Sequence, residues 1–162
     1  YLHLETISVI LSIFYAHPAL EFHVFAKVNS VQRYANVTVH PLSFIEFNRY
    51  FNQCYHVITN AGFELTSECL SAGKRVLICP IQGQFEQLSN AMVLAQWPQV
   101  QVCYRWSQKQ VSTWLQPPYV NSVAQEFPDY ADELAEWICN PKRCSLQELS
   151  DRVWAMAPVK QC

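Results

Sequence analysis

A group of carboxylate and amide side chains follows the first glycine of the chain. Glu68 lies six residues after Gly62, and Glu86, Gln87 and Asn90 come further along. Helical spacings of three and four residues place the last three on one side of a helix. Carboxylates accept hydrogen bonds in pairs, and amides both accept and donate them, as sugar hydroxyls require. This group therefore predicts a site for a ligand that carries several hydroxyls.

The chain around Gly62 has the features of a phosphate site. A predicted strand ends at Thr59, Asn60-Ala61-Gly62 forms a loop, and a predicted helix begins at Phe63. The first N–H groups of a helix are unpaired and its dipole is positive there, which favours phosphate. Glycine also lets a ligand approach the backbone closely. Neither of the common glycine-rich phosphate motifs is present.

Each of these residues also has a simpler interpretation. Glu86 near a helix start favours the helix dipole, and Gln87 and Asn90 suit a solvated helix face. Glu68 suits an ion pair with Lys74 or a position in water. Their occurrence in one predicted cleft favours the functional interpretation.

Apolar runs alternate with amphipathic segments in the order of β-α-β units. We predict an α/β, Rossmann-like, doubly wound parallel sheet of about six strands with helices on both faces, followed by C-terminal helices. The predicted strands cover residues 1–2, 22–28, 37–40, 55–59, 75–80 and 100–104. The predicted helices cover residues 5–16, 44–53, 63–72, 85–96, 107–115, 129–139 and 146–157.

The expected strand order predicts where a ligand binds. In the common order 3-2-1-4-5-6, ligands bind at the carboxyl ends of the strands, beside the point between strands 1 and 4. The loop after strand 4 contains Gly62, and strand 5 ends shortly before Gly83. We expect these two glycines to border one cleft, and Gly73 to end the helix between them.

The helix predicted at residues 85–96 has two contrasting sides. Its polar side holds Glu86, Gln87 and Asn90. Its apolar positions predict the side that faces the core; they are Phe85, Leu88, Ala91, Met92 and Ala95.

The composition excludes several classes of protein. A chain of 162 residues with 51% hydrophobic and 14% aromatic residues is not disordered, and a net charge of −2 argues against nucleic acid as a partner. No apolar stretch is long enough to span a membrane. Seven cysteines without a CxxC pair and five histidines without close spacing predict reduced thiols, no metal and a cytoplasmic protein. Five tryptophans, all after residue 96, favour core or interdomain packing, with peripheral membrane contact as the alternative.

We predict one domain over residues 1–162. The first predicted strand already runs at Tyr1, with no signal for its start before that residue. We therefore expect further residues in front of it, as in a domain cut from a longer two-domain protein.

Three segments together resemble the donor-binding signature of the GT-B glycosyltransferases: 57–68, 73–80 and 84–91. The UDP-sugar-dependent families are most similar, including the peptidoglycan GlcNAc transferase and the plant and animal UDP-glycosyltransferases. The resemblance implies the donor-binding half of an enzyme that transfers a sugar from a nucleotide-diphosphate sugar, with UDP as the expected nucleotide, to an acceptor hydroxyl. It implies no cofactor and no metal, and an N-terminal acceptor domain or partner subunit that completes the site.

The resemblance also implies roles for single residues. Glu68 corresponds to the ribose-binding glutamate, and Glu86 and Gln87 to the pair that contacts the donor sugar, with Gln84 and Asn90 on either side. The expected diphosphate loop consists of Asn60, Ala61, Gly62 and Phe63, and the expected base-binding loop contributes His40, Leu42 and Ser43.

Two positions depart from the plant enzymes. Asn60 stands where they have a histidine, and Glu64 stands in place of an asparagine. A negative charge at Glu64 would repel a diphosphate, so we expect this side chain to point away from it.

The resemblance places the general base on the other domain, so no catalytic residue is assigned here and the chain alone is expected to be inactive. Three alternatives remain open. They are a stand-alone donor-binding subunit that needs a partner chain, a UDP-GlcNAc 2-epimerase-like domain, and a non-catalytic α/β binding domain.

Overall fold

The structure is a computed structural model that describes residues 4–117 and 124–156. The chain divides into two compact units, Tyr1–Val123 and Ala124–Cys162. The strand predicted at residues 1–2 lies outside the described residues. The single domain and the longer parent protein both stay predictions.

The first unit alternates helices and strands as the sequence pattern predicts. Each helix and strand predicted between residues 5 and 115 is present, with ends shifted by at most two residues. The helices are α1 (Leu4–Tyr15), α2 (Phe44–Gln53), α3 (Phe63–Ser71), α4 (Phe85–Leu94) and α5 (Gln108–Trp114). The strands are β1 (Phe22–Ala26), β2 (Gln32–Tyr34), β3 (Val37–Pro41), β4 (His56–Thr59), β5 (Arg75–Ile78) and β6 (Val100–Val102).

The strands form two sheets, and the prediction of one sheet of about six strands is wrong for the described residues. One sheet has the order β1-β3-β2 and the other has the order β4-β5-β6. β1 pairs with β3 in parallel, and the second sheet is parallel throughout. β2 was not expected; it is a short, exposed strand that pairs antiparallel with β3. Its polar sequence, Gln-Arg-Tyr, carries no alternation that would predict a strand.

β5 is the most deeply buried strand, as its run of apolar residues predicts. Leu77 packs in a cluster with α1, α5 and the first sheet, whereas Val76 and Ile78 pack in a second cluster with α3 and α4. Helices therefore cover both faces of the second sheet, which is the doubly wound arrangement. Because one cluster contains residues of both sheets, the two sheets share a core beneath α1.

The helix between the two predicted site loops ends as expected. Gly73 follows the last turn of α3 with a φ of +63°, a backbone conformation that side chains disfavour. The Gly73 N–H donates to the Leu70 carbonyl and the Lys74 N–H donates to the Cys69 carbonyl. This pair of bonds satisfies the last carbonyls of the helix and turns the chain into β5.

Lys74 anchors α2 to the turn before β5. Its side chain is buried, and Nζ donates to the Cys54 carbonyl oxygen across 2.8 Å at the C-terminal end of α2. The same ammonium lies 4.6 Å from the centre of the Phe51 ring. The negative end of the helix dipole and the ring face both favour a buried cation.

The buried side of α4 differs from the prediction. Phe85 and Met92, expected in the core, are 82% and 65% exposed, while Asn90, Ala91 and Leu94 are buried. Asn90 can be buried because its amide has a hydrogen-bond partner, described below. Of the five positions predicted to face the core, Ala91 is buried as predicted and the other four are exposed, so the hydrophobic period is confirmed at one position and wrong at the rest.

The second unit contains α6 (Ala131–Cys139) and α7 (Leu146–Ala155), at the predicted positions. Ser145 and Glu148 form a reciprocal cap at the start of α7. Trp137 Nε1 donates to the Cys144 carbonyl across 3.0 Å, which ties α6 to the loop before α7. No helix in the described parts of either unit is long and apolar enough to cross a membrane.

Candidate functional site

The loop after β4 leads into a helix whose first N–H groups meet no capping side chain. Gly62 is the N-cap of α3 and supplies no side-chain acceptor, whereas Ser43 of α2 and Ser107 of α5 each accept from a backbone N–H. Thr66, one turn later, donates from Oγ1 to the Gly62 carbonyl oxygen 2.5 Å away. The amide hydrogens of the first turn of α3 are therefore left for another acceptor, such as a phosphate oxygen.

Gly62 provides space rather than an unusual backbone conformation. Its φ is −76°, which any residue can adopt. A Cβ at this position would meet no atom within 4 Å. The positive-φ glycine beside the site is instead Gly83, with φ +81° in the loop before α4. The open space at Gly62 is what a ligand needs for close approach to the helix start.

Asn90 joins the two loops that the sequence assigns to one cleft. Its Nδ2 donates to the Ala61 carbonyl oxygen across 2.9 Å in a buried position. Gln87, one turn earlier on α4, accepts at Oε1 from the Ile81 N–H at 3.0 Å. These bonds fix the loop after β4 and the loop after β5 to the same helix, so the two loops are held in a defined arrangement.

The carboxylates of the candidate site face water. Glu68 on α3 and Glu86 in the first turn of α4 are both exposed. The ion pair of Glu68 with Lys74 is not formed, because the Lys74 ammonium is bonded to the Cys54 carbonyl. Gln84, the N-cap residue of α4, and Phe63 at the start of α3 are exposed as well. All of these side chains are accessible to a ligand.

The expected base-binding residues have local partners. His40 is buried in β3, where Nε2 lies 3.0 Å from Nδ1 of His23. Burial lowers the pKa of both histidines, and nearby Glu21 opposes this shift at His23. Ser43 caps α2 by accepting from the Glu46 N–H, and Leu42 between them is half exposed. Leu42 is thus the only one of the three with a free side chain in this loop.

A cavity of about 670 Å³ lies at the carboxyl ends of β5 and β6. Residues Pro80 to Phe85 form one wall, and Tyr104 and Arg105 form part of the other. We call it the loop cavity. The sequence pattern did not single out Tyr104 and Arg105, although Tyr104 ends a predicted strand and Arg105 follows it, which places both at the binding edge of the sheet. The described residues contain no group of three or more potential metal ligands.

A family model described as Glycosyl transferase family 1 matches residues 5–116. That range covers more than half of the chain and contains both site loops. The chain belongs to glycosyltransferase family 1. The matched range lies within the first unit, so the α/β unit is the glycosyltransferase domain. No curated protein and no solved structure gives a significant match.

Membership in glycosyltransferase family 1 supports glycosyl transfer as the chemistry of this domain. In this chain, the features that suit a charged ligand with several hydroxyls follow the ends of β4 and β5 in the sequence. They are an open helix start at Gly62, two loops joined through Asn90, and exposed carboxylates and amides.

Proposed function

We propose that the chain is the donor-binding half of a GT-B glycosyltransferase, which holds a UDP-sugar for transfer to an acceptor hydroxyl. The observation that carries the proposal is the buried Asn90–Ala61 bond beside the uncapped start of α3. Together they present a preformed set of backbone donors next to open space. Family membership adds the glycosyl-transfer chemistry.

In this proposal the diphosphate lies at the start of α3, against the backbone of Asn60, Ala61, Gly62 and Phe63. The leaving group of the transfer is a nucleoside diphosphate, which gains negative charge as the bond to the sugar breaks. The positive end of the helix dipole and fixed N–H donors stabilise that charge without reorganising. Arg105, exposed at the loop cavity, adds a positive charge on the same edge of the sheet.

The sugars of the donor are assigned to the exposed polar side chains. Glu68 accepts from the ribose hydroxyls, and Gln84 and Glu86 contact the transferred sugar. Gln87 Oε1 is engaged by the Ile81 N–H, so its amide nitrogen is the group left to bind a hydroxyl. Asn90 is buried and bonded to Ala61, so we assign it a positioning role.

The uracil base is assigned to the loop at His40, Leu42 and Ser43. The Ser43 hydroxyl and the His40 ring already have partners, so recognition there uses backbone groups and the exposed Leu42 side chain. The acceptor and the general base are assigned to an N-terminal domain or a partner subunit. The chain by itself is then expected to bind donor without transferring sugar.

Isothermal titration with UDP and UDP-GlcNAc tests the assignment. Loss of a hydrogen bond to a charged group costs about 1.5–3 kcal/mol, so Glu68→Ala should weaken UDP binding roughly 10- to 140-fold. Asp132→Ala is the matched control, since it removes an exposed carboxylate from α6 in the second unit and should leave binding unchanged. Equal, weak heats for the wild-type chain and Glu68→Ala would contradict the proposal.

A further inference from the structure

Two buried cysteines stand side by side at the carboxyl ends of β5 and β6. The strands pair in parallel up to Ile78 and Val102, and Cys79 and Cys103 are the next residue of each. The Cys103 N–H donates to the Ile78 carbonyl oxygen across 2.8 Å, so the pairing continues to this position. The register therefore places the two cysteines opposite each other.

Both cysteine side chains lie on the same face of the second sheet. Side chains alternate along a strand, and Cys79 comes two positions after Leu77. Leu77, Cys79 and Cys103 all belong to the core cluster that contains residues of both sheets. Cys79 is 5% exposed and Cys103 is 1% exposed, and both are free thiols. Two free thiols thus meet on one buried face.

The spacing suits a covalent bond between the two sulfurs. Neighbouring strands lie about 4.8 Å apart, and a disulfide joins Cα atoms that are about 4.4–6.8 Å apart. The Cys79 and Cys103 side chains already form a hydrogen bond with each other. No rearrangement of the strands is therefore needed to bring the sulfurs together.

The hydrogen bond gives the two thiols different roles. It lowers the pKa of the Cys79 thiol, although burial opposes this shift. The same bond raises the pKa of the Cys103 thiol, and burial adds to that effect. Because the thiolate is the nucleophilic form, Cys79 is the sulfur that attacks, and Cys103 is the sulfur that retains its proton.

The other two cysteines of the first unit provide an internal comparison. Burial raises the pKa of the Cys54 thiol and raises the pKa of Cys69 to about 12. The Cys54 thiol donates to the Phe51 carbonyl oxygen at 3.4 Å. Neither thiol has its thiolate favoured, so buried cysteines of this unit are not equivalent.

We propose that Cys79 and Cys103 form a dithiol site at which a hydroperoxide produces a reversible disulfide across the ends of β5 and β6. Pro80 and Tyr104, the residues that follow the two cysteines, both line the loop cavity. The disulfide therefore lies at the base of two walls of that cavity. The inference does not depend on donor binding, because it rests on the register of β5 and β6.

The reaction conserves atoms and electrons. The Cys79 thiolate attacks one oxygen of the hydroperoxide, the O–O bond breaks, and the departing oxygen takes a proton from water. The Cys103 sulfur then attacks the sulfur of the Cys79 sulfenic acid. The S–S bond forms, the S–O bond breaks, and the Cys103 proton leaves with the hydroxyl group as water. The two thiols lose two electrons, which reduce the hydroperoxide.

The test treats the folded chain with hydrogen peroxide, blocks the remaining thiols with N-ethylmaleimide, and maps the peptides by mass spectrometry without reduction. A parallel sample contains dimedone, which traps sulfenic acids. Cys79→Ala and Cys103→Ala remove one sulfur each. Cys69→Ala is the matched control, since it removes a buried thiol from the other core cluster of the same unit.

We expect a Cys79–Cys103 linked peptide in the wild-type chain and in Cys69→Ala, and its disappearance on treatment with dithiothreitol. Cys103→Ala should accumulate dimedone adduct at Cys79, roughly tenfold more than Cys79→Ala accumulates at Cys103, because oxidation follows thiolate character.

The wild-type chain alone can overturn the proposal, whether or not the variants fold. Cys79 and Cys103 recovered as free thiols while the exposed Cys139 is oxidised would do so. A link between Cys54 and Cys69 in place of the expected one would also overturn it. Equal dimedone adducts at Cys79 and Cys103 in the two folded variants would disprove the assigned roles.

Discussion

The amide of Asn90 on α4 donates to the carbonyl oxygen of Ala61 in the loop before α3, across 2.9 Å and in a buried position. This bond connects residues 29 positions apart in the chain. It makes the arrangement of the two candidate site loops a property of the folded core. A ligand that contacts both loops would meet them already in place, which lowers the entropy cost of binding.

Removing the Asn90 amide should cost both stability and donor binding. Asn90→Ala leaves the buried Ala61 carbonyl without its donor, which destabilises the fold by about 1–3 kcal/mol in urea unfolding. UDP affinity should fall as well, since the loop before α3 loses its anchor. Ser89→Ala, on the exposed side of the same helix, is the matched control and should change neither. Wild-type stability in Asn90→Ala would contradict the role assigned to this bond.

The two site glycines should separate stability from binding. Gly62 has a φ of −76° and open space around it, so alanine fits there. Alanine is a poorer N-cap than glycine, but it lowers the entropy of the unfolded chain. Because these effects oppose each other, the free energy of unfolding should change by less than about 1 kcal/mol. The new methyl group should nevertheless weaken UDP binding by occupying the space for the diphosphate.

At Gly83, with φ +81°, alanine should destabilise the fold by about 1–2 kcal/mol. Unweakened UDP binding by a folded Gly62→Ala would contradict the placement of the diphosphate.

The pair formed by the buried His40 and the partly buried His23 should make the fold sensitive to mild acid. Burial lowers the pKa of His23 and His40 below the ordinary value of 6.5. As pH falls below 6.5, these histidines therefore bind protons in the unfolded chain before they do so in the folded chain. The stability that the two neutral histidines contribute is complete above pH 6.5 and is lost as pH falls below that value. His40→Gln keeps a polar partner for His23 but removes one titrating ring, so it should flatten the fall in Tm between pH 7.5 and 5.5. An equal fall in both proteins would disprove the assignment.

The cysteines should react in order of exposure. Cys139 is exposed, whereas burial raises the pKa of Cys69 to about 12 and removes its thiolate at neutral pH. Iodoacetamide should label Cys139 in the native chain and Cys69 only after unfolding. Peptide mass spectrometry of the two samples measures the order. Native labelling of Cys69 at the rate of Cys139 would show that the second core cluster is not closed.

Local patterns in the sequence were sufficient for most of the secondary structure. The continuous apolar run of β5 predicted a strand buried on both faces, and Gly73 predicted the end of α3, because each signal depends on adjacent residues. The sides of α4 could not be predicted in this way. Asn90 faces inward because a carbonyl far away in the chain accepts from it, and Phe85 is left in solvent. Periodicity contains no information about such a long-range bond.

The division into two sheets was equally beyond the sequence pattern. The pattern predicted every strand of the described residues except β2, yet it could not show that β1 and β4 leave a cavity between them. At the candidate site, the sequence indicated the residues of both loops, and their part in donor binding stays a prediction. Tyr104 and Arg105 were missed because no motif marks them.

The hydrogen bond of the Lys74 ammonium affects how the two sheets can move against each other. α2 packs its aromatic side chains on the first sheet, for example Phe47 against Phe25, while Lys74 belongs to the turn that leads into the second sheet. The bond from Lys74 to the Cys54 carbonyl therefore links the helix packed on the first sheet to the turn that leads into the second sheet. If one sheet slid along the other, the buried Lys74 ammonium would lose both the Cys54 carbonyl and the Phe51 ring. The first unit should therefore resist such sliding, although no backbone hydrogen bonds pair its two sheets within the described residues.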